Sequence, residues 1–169
     1  MRKRIKIDED WLFWKTPESE PEHICLPHTW NALDGQDGGN DYYRGVCRYE
    51  KKLDFPALRQ GESVYVEFEG VSSIADVWIN GKKVARHEGG FSTFRADLTE
   101  HLTGNDTLIV LADNRKTPEV YPQFADFTFF GGIYRDVSLC IVPGSHFTMD
   151  DCGGPGVRVR TSVREGCGI

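Results

Sequence analysis

The dipeptide Asn80-Gly81 lies between two runs of alternating apolar residues, and no other short stretch constrains the fold as much. In residues 74–80, Ala75, Val77 and Ile79 alternate with Asp76, Trp78 and Asn80. That period of two places the first three on one face of a strand. Asn-Gly supplies the positive φ angles of a tight turn, so residues 82–88 are predicted to return as the antiparallel partner. In residues 63–69, Val64, Val66 and Phe68 share one face while Tyr65, Glu67 and Glu69 share the other, which predicts a half-buried strand. Residues 43–53, 107–112 and 133–142 read as further strands. Leu108 to Leu111 is apolar on both faces, as in a strand enclosed by a sandwich. Only residues 96–104 break the pattern. There Asp97, with Glu100 three positions on, signals one capped helical turn closed by Gly104. Many short strands with almost no helix predict an all-β chain, a β-sandwich or jelly roll.

Two segments read as long loops. Residues 31–41 are rich in Gly, Asn and Asp, and residues 115–130 carry two prolines and a run of aromatics. Loops of this length in a compact domain are more often functional than idle.

Composition closes off several functions. A chain of 169 residues fits one domain, or one domain and the start of another, and buries about 70% of its unfolded surface without a staple. A net charge of −6 argues against a nucleic-acid or anionic-membrane partner. The basic N-terminus runs into Asp8, Glu9 and Asp10 and so lacks a signal-peptide core, and no stretch approaches the roughly 20 apolar residues of a membrane span. Five scattered cysteines without CxxC spacing indicate a reduced, cytoplasmic protein. The histidines lack metal-ligand spacing, the Gly-Gly pairs lack phosphate-cradling patterns, and Ser72-Ser73 lacks a nucleophile-elbow context. No metal and no cofactor is expected.

Several segments, in order, carry a resemblance: Asp10-Trp-Leu-Phe13, Leu26-Pro-His-Thr-Trp-Asn31, Tyr43-Arg-Gly45, Phe68-Glu-Gly-Val-Ser-Ser-Ile-Ala-Asp-Val-Trp-Ile-Asn-Gly81, Gly89-Gly-Phe-Ser-Thr-Phe94 and Asp126-Phe-Thr-Phe-Phe-Gly-Gly-Ile-Tyr-Arg-Asp-Val-Ser-Leu139. Together they resemble the N-terminal sugar-binding domain of glycoside hydrolase family 2, the β-galactosidase and β-glucuronidase family. Val46 and Cys47 depart from it, standing where the family usually has aromatics. The resemblance implies a jelly-roll domain over residues 1–143. Residues 144–169 would then be a linker and the first strand of an immunoglobulin-like second domain, too short to complete a sandwich of roughly 100 residues.

Four residues follow as candidate substrate contacts. The resemblance gives Asp126 the role of a carboxylate that accepts hydrogen bonds from sugar hydroxyls, and such charge-assisted bonds are the stronger kind. Phe127, with Phe124, Phe129 and Phe130, would stack on sugar or, as the leading reading, form an interface with a barrel domain. Asn40 and Asp41 match a sugar-site asparagine only with a slip of a residue or two, so turn formation is their first role and a sugar contact their second. Arg135 reads as a structural ion pair or carbonyl clamp, and His28 as a satisfied structural group.

The implied whole is a retaining exo-glycosidase, most like the β-galactosidase branch. Its two catalytic glutamates would lie on a (β/α)8 barrel beyond this chain. The expected partners are a β-galactoside or related glycoside and the immunoglobulin-like and barrel domains, with a homo-oligomer as one assembly open to the whole. The fragment alone is expected to be inactive, because nothing in it marks the buried carboxyl pair, about 5 Å apart, that retaining hydrolysis needs. The alternatives are a free-standing carbohydrate-binding module, or a purely structural module that braces a barrel.

Overall fold

The computed structural model describes residues 2–34, 42–121, 128–150, 153–164 and 167–168. Two antiparallel sheets pack face to face as a jelly-roll sandwich. The larger has six strands in the order β3 (Glu22–Ile24), β2 (Trp11–Trp14), β4 (Val46–Lys52), β9 (Thr107–Asp113), β6 (Ile74–Ile79), β7 (Lys82–Glu88). The smaller has four, in the order β1 (Lys3–Lys6), β10 (Val137–Val142), β5 (Ser63–Phe68), β8 (Phe94–Asp97). Trp11, Tyr49, Phe68, Ile79, Leu108 and Leu139 fill the space between them, fully buried. Burying one such side chain stabilises the fold by about 1.5–3 kcal/mol.

The hairpin forms as its sequence demands. Asn80 and Gly81 take φ of 49° and 81°, the left-handed pair of a two-residue turn. β6 and β7 then pair from Ile79–Lys82 outward, with a register shift between Val77 and Trp78.

Other elements differ from the sequence reading. The strand expected from residue 43 begins at Val46, because the backbone of Tyr43 is bonded by the side chains of Asn31 and Asp34, earlier in the same loop. The strand expected from residue 133 begins at Val137. Ile133 instead accepts the His28 amide at 2.8 Å, and Gly132 bridges Ser72. β9 is not enclosed on both faces: Leu108, Val110 and Ala112 are buried, while Ile109 and Leu111 are half-exposed on the outside. The helical turn is one 3-10 turn at Thr99–His101, and Asp97 accepts the Thr99 amide at 2.8 Å.

β5 departs the other way, buried on both faces rather than half-buried. Its outer face carries Glu67, whose carboxylate meets Arg95 Nε of β8 at 2.5 Å and Arg2 and Arg4, each at 3.1 Å. The Arg95 guanidinium also donates to the carbonyls of Met149 (3.3 Å), Gly153 (3.0 Å) and Gly154 (2.8 Å). Met149 packs with Tyr65, Cys140 and Val142. The segment after β10 thus folds back over the smaller sheet. Gly153 has φ of +75°, and its α-carbon approaches Thr93 so closely that a side chain would strike backbone. Beyond it, β11 (Val163–Arg164) and β12 (Cys167–Gly168) pair with each other.

Candidate functional site

Both long loops leave the same end of the sandwich. The first runs from Trp30 to β4 and the second from β9 to Gly131. Asn40 and Asp41 on the first, and Asp126 and Phe127 on the second, lie outside the described residues, as does Phe124. The ends of both loops are described, and a single buried polar cluster ties them together.

Two asparagines build that cluster. Asn31, fully buried, accepts the Gly131 amide at 2.8 Å through Oδ1 and donates through Nδ2 to Tyr43 O (3.1 Å) and Asp34 Oδ2 (2.5 Å). Asn114, 2% exposed, accepts the Gly45 amide at 2.8 Å and donates to Tyr43 O (3.0 Å) and Asn31 Oδ1 (3.3 Å). Asp34 Oδ2 takes the Tyr43 amide at 3.0 Å, and Thr29 Oγ1 donates to Gly131 O at 2.7 Å. Four chain segments from opposite ends of the sequence are therefore joined by side-chain amides, each of which donates and accepts at once. Only glycine fits at 131, since a Cβ there would fall 2.7 Å from Asn114 Nδ2 and clash with Cζ2 and Cε2 of Trp30.

A shallow cleft opens beside this cluster, with Tyr42, Arg44, Ser72, Phe91 and Phe129 on its walls. Arg44 donates to Asn114 O at 2.9 Å, and its guanidinium lies 4.7 Å from the Tyr42 ring centre. Burial raises the Tyr42 phenol above its ordinary pKa. Tyr134 donates its hydroxyl to Gly90 O, and Arg135 reaches Glu69 O and Phe91 O at 3.5 Å. Arg135 is thus the carbonyl clamp expected from its place in the chain. Phe91 and Phe130, 53% and 44% exposed, present apolar surface at this end.

Beneath the cluster, His28 Nδ1 bonds the Tyr49 hydroxyl at 2.8 Å and its ring tilts against Phe13 at 4.6 Å. Burial holds this imidazole below its ordinary pKa, as a neutral structural group. Burial also pushes the Cys47 thiol up to about 12, which makes it a poor nucleophile. Among the described residues no group of three or more His, Cys, Asp or Glu is placed to hold a metal. The geometry suits a rigid mount for loop side chains better than a reaction centre.

Residues 38–143 match the family model for the sugar binding domain of glycosyl hydrolases family 2. The chain belongs to this family. The β-glucuronidase of Bacteroides fragilis is 36% identical over 160 residues, an alignment covering 92% of this chain and 23% of that protein. The β-galactosidase of Thermoanaerobacter pseudethanolicus is 32% identical over 157 residues, covering 84% and 21%. Among solved structures, the FMN-binding β-glucuronidase of Faecalibacterium prausnitzii L2-6 superposes with a TM-score of 0.87 at 43% identity, covering 95% of this chain and 26% of that one. The chain thus spans about a quarter of the length of these relatives.

Sequence reasoning missed the hub of this family 2 domain. Asn31 was legible only as the end of a Pro-His-Thr-Trp-Asn segment, and Asn114 only as the last residue before a loop. Asn31 also bonds Asp34 and Tyr43 nearby, but the bonds that join the two loops link Asn31 to Gly131, Asn31 to Asn114 and Asn114 to Gly45, 69 to 100 positions apart, and those leave no local signal.

Proposed function

We propose that this sugar-binding domain is the N-terminal domain of a retaining exo-glycosidase acting on a β-galactoside or β-glucuronide, and that it lends substrate contacts to an active site built on a separate barrel. Residues 1–143 form the sugar-binding unit, and residues 144–169 lead into an immunoglobulin-like domain. One observation carries the reading. The Asn31–Asn114 cluster pins the described ends of both candidate loops at one end of the sandwich, where side chains on the two loops can serve one sugar.

Asp126 is the substrate-orienting carboxylate in this proposal. Phe127 contributes to the docking surface beside it, and Asn40 and Asp41 shape the opposing loop. Chemistry belongs to another domain. Acidic side chains that come together among the described residues share a cation: Arg4 bridges Glu67 and Glu69 (3.1 and 2.6 Å), and Lys6 bridges Asp8 and Asp136 (3.0 and 2.9 Å). A glycosidase needs instead one protonated and one ionised carboxyl flanking the bond. The chain alone is therefore expected to be inactive. The free thiols of Cys25, Cys47 and Cys140 support a cytoplasmic location.

The test is Asp126→Asn in the full-length glycosidase, assayed on p-nitrophenyl β-galactoside and β-glucuronide. Loss of a bond made chiefly in the transition state lowers kcat/KM by one to two orders of magnitude, about 1.5–3 kcal/mol. An unchanged kcat/KM on both substrates would leave the domain a purely structural brace.

A further inference from the structure

A second groove lies on the outer face of the larger sheet, and the loop site does not use it. Trp14, Arg48 and Leu111 stand directly opposite one another across β2, β4 and β9, and Leu12, Glu50 and Ile109 form the next row. Trp14, Thr16, Pro17, Val46, Arg48 and Leu111 line a groove of about 490 Å³, a size within the range of small-molecule sites. It opens at the same end of the sandwich as the loops, since Val46 begins β4 just after Gly45, and Leu111 is three residues before Asn114.

The lining has a particular chemistry. Trp14, Pro17, Val46 and Leu111 give an apolar floor, and Val46 is 37% exposed. The Arg48 guanidinium lies 5.1 Å from the Trp14 ring centre and is held there by Glu50 at 2.5 Å. The two charges cancel, so the groove has no sign with which to select an ion. It offers a charged donor beside a charged acceptor above an aromatic floor. A pyranose has the matching features: an apolar C–H face, and vicinal hydroxyls of which one can accept from Arg48 while its neighbour donates to Glu50.

We propose that this groove is an accessory subsite for a neutral, β-linked pyranose of a longer glycan, separate from the loop site. Trp14, Thr16, Pro17, Val46, Arg48 and Leu111 all belong to this chain, and none of them is a candidate residue of the loop site.

The experiment is a titration of the 169-residue chain with lactose, followed through the indole N–H resonances of its four tryptophans. The Trp14 signal is expected to shift with a dissociation constant on the order of 1–10 mM. Trp14→Phe, which keeps an aromatic floor and is followed through the backbone amide resonances of Val46 and Arg48 because the indole reporter is lost, should bind within about tenfold of the parent, and Arg48→Met should weaken binding severalfold. Asp126→Asn should leave the Trp14 response unchanged. The proposal is overturned if the Trp14 signal stays still, if Asp126→Asn abolishes its shift, or if sedimentation shows a dimer with Trp14 shielded. Failure here is distinct from failure of the loop-site reading, which rests on kcat/KM of the full-length enzyme.

Discussion

Asn114 does work that no other side chain of its size can do. Its carbonyl oxygen accepts the Gly45 amide while its NH₂ donates to Tyr43 O and Asn31 Oδ1. Aspartate keeps the acceptor and loses both donors, and leucine loses all three bonds. Asn114→Ala strips partners from groups that stay buried, each costing about 1–3 kcal/mol. Urea denaturation should show a lower midpoint at unchanged slope, and a midpoint within error of the parent would refute the hub. Asn114→Asp should cost more than alanine, because it sets a carboxylate oxygen against two acceptors. At this scale the sequence was a good guide where neighbours decide the outcome. Asn80-Gly81 needs only its own φ angles. Arg135 could be recognised as a clamp, but the carbonyls it holds could not.

Strands followed the alternation wherever a single face was buried, as in β6. They escaped it where something unforeseen covered the other face. β1 has no apolar alternation at all in Lys3-Arg4-Ile5-Lys6, yet it forms because the edge of β10 offers it a ladder. β5 is buried on both faces because the segment after β10 folds back over Glu67 and Arg95. That clasp makes a prediction about the element it holds. Arg95 is 6% exposed, and Arg95→Met leaves the Glu67 carboxylate short of its closest partner. Breaking a buried pair from one side costs about 3–5 kcal/mol, less here because Arg2 and Arg4 remain. Amide hydrogen exchange over residues 149 to 156 should accelerate more than exchange in β6. Equal acceleration in both would mean that Arg95 supports the sheet and not the returning segment.

The whole molecule carries a pH signature from two partly buried imidazoles. Burial lowers the pKa of both His28 and His87 from 6.5, outweighing the raising effects of neighbouring groups. The sign follows directly. Below 6.5 the unfolded chain takes up protons that the folded state resists, so stability falls as pH drops from 6.5 toward the folded values. The slope is at most about 1.4 kcal/mol per pH unit for each histidine, and less where solvent reaches the ring. His28→Gln should flatten the stability curve in that window while leaving it parallel to the parent at neutral pH. Parallel curves throughout would exclude His28 as a source. A separate limb starts lower. Burial pushes the Asp106 carboxyl up, but hydrogen bonds from Asn80, Thr103 and Gly104 outweigh it, so its net shift is downward from 3.8 and its contribution is lost only in stronger acid.

Periodicity, the Asn-Gly turn and the ordered segments were enough, before any coordinate, to specify a β-sandwich of the family 2 sugar-binding kind, because period-two burial and turn φ angles are properties of neighbouring residues. Which faces became core was decided by the tertiary structure. So was the cluster that mounts the loops, since Asn31 meets Gly131 across 100 positions. So too was the groove at Trp14, where three strands that are distant in sequence must lie side by side before an indole, a guanidinium and two aliphatic side chains share one surface. Hydrogen bonds and contacts between remote residues leave no local pattern, because either partner alone is an ordinary polar or apolar residue.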